Sequence, residues 1–490
     1  MSVKSLTKPE DLLLITTTVL GFFFFFWGIN SWKFSFVGDE WPFYVYALNF
    51  TVHPHPLNPL SFSGVYGTHS PLASMYQVLF MELFGINNVA WRLSNIVLIF
   101  PLSFFFYRWI KLSFNKQTAV LATILMQCSF FLANFFKIGY DNPQSLTLLI
   151  ICFYLAATFG KSPTKKLGLL LGGILGISFY MYFGAAFPLF IWPYFLPLRN
   201  QIRNKATRKA IQSLIITYLL LLCPLIFQIP ALLNVRDALG QPGSFHLKSN
   251  IIYDFLLFYK NHDYYYNHFI TGPYLDSISQ VFCVIGTILV LFRVRHQPYL
   301  FFLLSYISTV IFIGSTSADG SSPVTRGLFL LPFGFFFAGL GLNTLRETIK
   351  GRVISFAFCW ILILAIATLN VYQSQISIFA GNTIDYTGMS LILHSLQQNQ
   401  TAHKEVIIVL SPELNINQYT WVLPYMKQAY GLKNISYSLL NPSQLSCSET
   451  ITKATLLVFN YDHNARKKIQ KLTCGTPLTS SILSPATTFY

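Results

Sequence analysis

The sequence predicts an all-α polytopic membrane protein with about 11 transmembrane helices and a small C-terminal α/β domain. Three observations predict it. Of 490 residues 53% are hydrophobic and only 10% charged, where a soluble chain carries about 25% charged residues. The apolar residues gather in uncharged runs of about 16–22, the length that crosses a bilayer as a helix. Finally, the 33 Lys and Arg residues form no single basic face but sit in the gaps between those runs. That spacing orients spans in a membrane, so the net charge of +16 implies no nucleic-acid partner.

The first run, Leu13 to Asn30, has no small-residue cleavage site and reads as a retained anchor with the N-terminus (Lys4, Lys8) in the cytoplasm. More than half of the basic residues fall in short gaps assigned to that side, among them Arg108/Lys111/Lys116, Lys161/Lys165/Lys166, Arg199–Lys209, Arg293/Arg295 and Arg346/Lys350/Arg352. The apolar stretch 167–198 lies between two such gaps, so it must cross twice or dip and return; two short crossings hinged near Tyr180 to Phe183, helped by Gly184 and Pro188, are expected. The segments facing outward are then 31–85, 135–142, 230–276, 315–325 and everything after the last span. The transmembrane domain is read as 1–371 and the extracytoplasmic domain as 372–490. In the latter, "EVIIVL", "NISYSLL" and "ATLLVF" read as strands and "NQYTWVLPYMKQAYGL" and "DHNARKKIQKL" as helices. Cys447 and Cys474, the two cysteines in polar sequence, either pair as a disulfide or stay free.

The residues able to carry chemistry converge on the outer side. In "SFVGDEWPFYVYALNF" two acids, Asp39 and Glu40, follow the first span and precede a membrane-hugging stretch with Trp41, Tyr44 and Tyr46. Asp39 suits a general base for a hydroxyl, with Glu40 binding a cation or orienting an acceptor; alternatively Asp39 only caps the helix that follows. "FFKIGYDNPQ" places Lys137, Tyr140, Asp141 and Asn142 in a short loop, where a lysine can serve a phosphate and an aspartate a polar acceptor, or snorkel and cap. His69 precedes Ser70-Pro71 in the loop 31–85, and Arg326 stands at the outer end of a late span, where a guanidinium calls for an anion or snorkels. His53 and His55, with Asp39 or Glu40, form a minor candidate for a divalent cation. The aromatics of "KNHDYYYNHF" suit either sugar stacking or an interfacial belt.

The order of these segments resembles a known family. An apolar span followed by "GDE", then "THSPL", "FGINNVAWRLSNIVL", "KIGYDN" and "GISFYMYFGAAFPLF" are together similar to the GT-C class of membrane glycosyltransferases. Within that class the likeness is to bacterial relatives of protein O-mannosyltransferases and of the lipid A aminoarabinose transferase, and it covers about residues 13–371. The resemblance implies inverting transfer of a sugar from a polyprenyl-phosphate donor to an acceptor hydroxyl, on a protein, lipid or glycan, at the extracytoplasmic face; the compact length favours a bacterial inner membrane. It implies that Asp39 is the base, Glu40 its neighbour in the acceptor or metal site, and Lys137 and Arg326 the phosphate contacts, with His69 aligned to the Lys or His before the family's proline pair. This chain departs from the pattern at Ser70-Pro71, at Phe187 where an arginine is common, and at Lys137 in place of arginine. Two other readings are a transporter or flippase of polyprenyl-linked sugars, which calls for polar groups at mid-membrane, and an O-antigen-type ligase or polymerase.

Overall fold

A computed structural model describes residues 9–29, 40–52, 58–65, 69–228, 247–259, 270, 272–317 and 324–376; in the tail it describes 392–393, 395–397, 406–411, 416–432, 435–446, 455–459, 462–471 and 479–483. Among these, six helices are long and apolar enough to cross a membrane, seven if a bent pair counts as one span, and Leu12–Phe26 and Ser277–Phe292 are shorter apolar helices. Asp39, His53, His55, the stretch Lys260 to Phe269, Cys447 and Cys474 lie outside the described residues.

In chain order the helices are α1 (Pro9–Phe26), α2 (Glu40–Val52), α3 (Pro71–Phe84), α4 (Asn88–Ile96), α5 (Ile99–Ser113), α6 (Lys116–Gln127), α7 (Phe130–Phe136), α8 (Asn142–Lys161) and α9 (Lys165–Ser178). After α10 (Phe187–Ile191) and α11 (Lys205–Leu222) come α12 (Leu247–Phe255), α13 (Ser277–Phe292), α14 (Gln297–Thr316), α15 (Val324–Gly327), α16 (Leu331–Thr348) and α17 (Arg352–Ile376). Helix α16 is the centre of the bundle: Leu331 to Asn343 are all buried, so it is apolar around its whole circumference. By contrast α11 and α17 expose Ile216, Leu220, Ile361 and Leu364, as lipid-facing helices do.

Helix contacts in an apolar solvent depend on close backbone approach rather than on hydrophobicity. The spacing Gly168-x3-Gly172 on α9 meets it, because a Cβ at either glycine would strike the backbone carbonyl of Ala210 or Leu214 on α11. The apolar stretch after α9 breaks at 179–183, where Phe183 adopts φ 59° before a 3-10 turn begins at Gly184. The break thus falls at the sequence-expected hinge. A second break divides α6 from α7, which bend by 56°. There Ser129 caps α7 by accepting from the Leu132 amide, and the Phe130 amide donates to Asn370 Oδ1 at 2.9 Å. Asn370 Nδ2 donates in turn to Asp276 Oδ2 at 2.9 Å, so the bend's amide is satisfied within the protein, as an apolar solvent requires.

The tail contains a parallel sheet of four strands in the order β2-β1-β3-β4: β1 Val406–Val409, β2 Tyr437–Leu440, β3 Thr455–Phe459 and β4 Thr479–Leu483. Three strands and the helices α18 (Ile416–Ala429) and α19 (His463–Lys471) match the sequence expectation; β4, polar in "TSSIL", was not anticipated. Both faces of β1 are buried, the pattern of a parallel strand covered on both sides. Helix α18 packs against α2, so Leu423 and Met426 belong to one continuous core with Phe43, Tyr44 and Ala47.

Candidate functional site

The residues singled out by sequence gather where α2, α3 and α4 meet the loop 137–141 between α7 and α8. Glu40 opens α2 and is completely buried. Its carboxylate accepts from the Gly139 amide at 2.8 Å and from Trp91 Nε1 at 3.1 Å, and it lies 3.4 Å from Arg92 Nη2. Arg92, also completely buried, donates through Nε to Asn88 Oδ1 and through Nη1 to the Lys137 carbonyl, both at 2.7 Å. The acceptor or metal role expected for Glu40 therefore does not fit its surroundings, because its oxygens are engaged by three donors inside the protein. Residue 139 must be glycine, since a Cβ there would overlap the Trp91 indole.

Asp141 is placed quite differently. It stands at the N-cap position of α8 but makes no side-chain cap hydrogen bond, so the capping alternative fails for it. Its Oδ2 instead lies 3.3 Å from His69 Nδ1. His69 is held by its backbone, which exchanges hydrogen bonds with Gly64 and Val65, and by Ser70, which caps α3. The imidazole stacks parallel to Tyr182 at 6.3 Å and meets the edge of Phe43 at 4.9 Å. The Tyr182 hydroxyl is 3.5 Å from Thr325 Oγ1, and the Thr325 carbonyl accepts from Asn142 Nδ2 at 3.2 Å. A closed circuit of contacts thus joins His69, Asp141, Asn142, Thr325 and Tyr182, and brings in Arg326 as the next residue along the chain. Arg326 donates to the Thr316 carbonyl, lies over the Phe183 ring at 5.6 Å, and is half-buried. Tyr140 is buried against Phe43, and its carbonyl accepts from Asn95.

Lys137, just beyond the end of α7, is only 4% exposed and forms no salt bridge among the described residues. Burial, with the nearby Arg92 charge adding to it, pushes its ammonium down to about 8 from the usual lysine range.

Of the residues singled out by sequence, the fold brings His69, Lys137, Tyr140, Asp141, Asn142 and Arg326 to one end of the helix bundle. Sequence reading assigned no role to Trp91, Arg92, Gly139 or Tyr182. For Arg92 a signal existed: an arginine inside an apolar helix needs a buried counter-charge, and Glu40 is one of few acids in the chain. No cluster of three or more metal-binding side chains occurs among the described residues.

Residues 68–232, which include His69, Lys137, Asp141 and Tyr182, match the dolichyl-phosphate-mannose-protein mannosyltransferase family. No curated protein sequence matches the chain. Among solved structures, ArnT from Cupriavidus metallidurans bound to undecaprenyl phosphate is similar with a TM-score of 0.51 at 11% identity, over 96% of this chain and 89% of that one. The Archaeoglobus fulgidus oligosaccharyltransferase in its apo form is similar with a TM-score of 0.52 at 11% identity, over 94% of this chain and 68% of that one. The same enzyme tethered to an acceptor peptide gives 0.50 at 12% identity, over 95% and 68%. At such identity the structural likeness is one of fold. The family match covers about a third of the chain, the segment that holds most of the site, and the solved structures of that fold are membrane glycosyltransferases.

Proposed function

We propose that this protein moves a sugar, with inversion, from a polyprenyl-phosphate donor to an acceptor hydroxyl on a protein, lipid or glycan at the extracytoplasmic face of a bacterial inner membrane. The N-terminus lies in the cytoplasm and the tail domain outside. The observation that carries this reading is Lys137, a buried cation with no acidic partner among the described residues, in the same short loop as Asp141, which pairs with His69. The undecaprenyl phosphate bound to the similar ArnT is of the chemistry such a cation would take.

In this reading Asp39 takes the proton from the acceptor hydroxyl, whose oxygen attacks the anomeric carbon as the bond to the phosphate breaks on the opposite side. The departing phosphate keeps the electron pair, and Lys137 and Arg326 stabilise its charge in a site shielded from water. Asp141, held by His69, accepts from a hydroxyl of donor or acceptor, while Tyr140 and Asn142 act by fixing the loop and the 325–326 backbone. Glu40 acts on its covalent neighbour Asp39 by anchoring the start of α2 to Gly139, Trp91 and Arg92. The site stands at helix ends rather than at mid-membrane, which favours surface chemistry over transport.

The test is transfer of a radiolabelled sugar from polyprenyl phosphate by purified protein in detergent. Asp39→Asn should lower turnover by about 10²–10⁴-fold, the usual contribution of a positioned base, with unchanged thermal unfolding. Full turnover by Asp39→Asn would remove Asp39 from the mechanism.

A further inference from the structure

At the opposite end of α6 and α7 from the site, a cavity of about 500 Å³ opens between α1, α6, α16 and α17. Along the chain α6 and α7 rise about 30 Å at 1.5 Å per residue, and their 56° bend leaves the two ends about 27 Å apart, close to the thickness of a bilayer's hydrocarbon core. The cavity therefore belongs to the other membrane face and to neither donor nor acceptor chemistry. Its volume lies within the roughly 300–1,000 Å³ of small-ligand clefts.

Its lining is divided. Leu13, Ile124, Trp360 and Ile363 give it an apolar lining, and Lys116 at the start of α6 and Arg346 in the last turn of α16 line it at the helix ends. One carboxylate, Glu347, also lines it but already accepts from Asn343 Nδ2 at 2.9 Å. Helices α6 and α17 begin at this end and α16 finishes there, so the positive helix ends are partly offset and the side chains of Lys116 and Arg346 carry the positive charge. An apolar chamber with a cationic rim, between helices at a membrane boundary, has the chemistry of an amphiphile with an anionic head.

We infer that this cavity is a binding site for an anionic glycerophospholipid of the leaflet opposite the transfer site, with an acyl chain against Leu13, Ile124, Trp360 and Ile363 and its phosphate between Lys116 and Arg346. The occupant bridges α1, which leads towards the Asp39–Glu40 segment, to α16 at the centre of the bundle.

Native mass spectrometry of the full-length protein, delipidated and then titrated with phosphatidylglycerol or with phosphatidylcholine of the same acyl chains, tests this. One phosphatidylglycerol should be retained at least about tenfold more tightly than phosphatidylcholine. The preference should vanish in Lys116→Gln/Arg346→Gln, and Ile124→Trp, which fills the chamber, should lower retention of both lipids. Gel filtration and thermal unfolding identify any variant that fails to fold; for Ile124→Trp, Ile363→Phe is the replacement. Equal retention of the two lipids, or an unchanged preference in the double variant, overturns the assignment. So does a photo-crosslinker at Val120 that captures the chain's own N-terminal peptide instead of added lipid.

Discussion

Glu40 and Asp141 lie at the same end of the bundle, and both are buried, with at most 2% of either residue exposed. Glu40 accepts from a backbone amide and an indole and faces a guanidinium, and each of those donors is itself fixed in a helix or a tight loop. Asp141 receives one imidazole at 3.3 Å and leaves its cap position unused. A carboxylate has about four acceptor sites, so Glu40 is close to saturated while Asp141 retains capacity for a hydroxyl. Equal burial therefore conceals different roles. The saturated acid organises the loop, and the unsaturated one can meet a ligand.

That contrast can be broken by substitution. Glu40→Ala leaves Arg92 buried without its partner, and breaking such a pair costs about 3–5 kcal/mol. The expected result is a large fall in unfolding temperature and in monodisperse yield, measured by a thermal shift assay in detergent. The milder Glu40→Gln should keep enough fold for transfer to be assayed. If Glu40→Ala melted like the parent and lost only turnover, Glu40 would belong with Asp141 as a ligand-facing acid. Asp141→Asn should do the reverse: the isosteric amide still offers His69 an acceptor, so unfolding should shift by only about 1 kcal/mol, with turnover lower by about 10²-fold from lost substrate positioning. An Asp141→Asn protein that aggregates, with His69→Ala fully active, would show that the pair is structural.

The difference between the two acids also marks what could be read from the sequence. Apolar helices, the hinge near Phe183, the tail strands β1 to β3 and the gathering of His69, Lys137 and Asp141 at one end of the bundle follow from local patterns: apolar length, Gly and Pro placement, and loop position. The pairing of Glu40 with Arg92 spans 52 positions, and no local pattern encodes it. The same holds for the Asn142 to Thr325 hydrogen bond that draws Arg326 toward the site, 183 positions apart. β4 was hidden because Thr479, Ser480 and Ser481 carry no apolar alternation, and it forms because β3 offers a parallel edge to pair with. Nothing in the local sequence marks Gly139; the Trp91 indole against it explains why no side chain fits.

The third group at this end, Lys137, sharpens the comparison through pH. Burial holds its ammonium down at about 8, against 10.5 in an unfolded chain. Between those values the unfolded state binds more protons than the folded one, so this lysine makes stability rise with pH across roughly 8 to 10.5. Donor binding should run the other way. A phosphodiester keeps its charge throughout this range, and only the ammonium form attracts it, so affinity should fall by up to tenfold per pH unit once the pH passes about 8. Lys137→Arg, which stays charged, should flatten that fall, and Lys137→Met should weaken binding at every pH. Equilibrium binding of a labelled polyprenyl phosphodiester between pH 6.5 and 9.5 measures all three. An unchanged pH profile in Lys137→Arg would move the titrating group elsewhere, and a parent affinity flat across pH 8 would remove Lys137 from the phosphate.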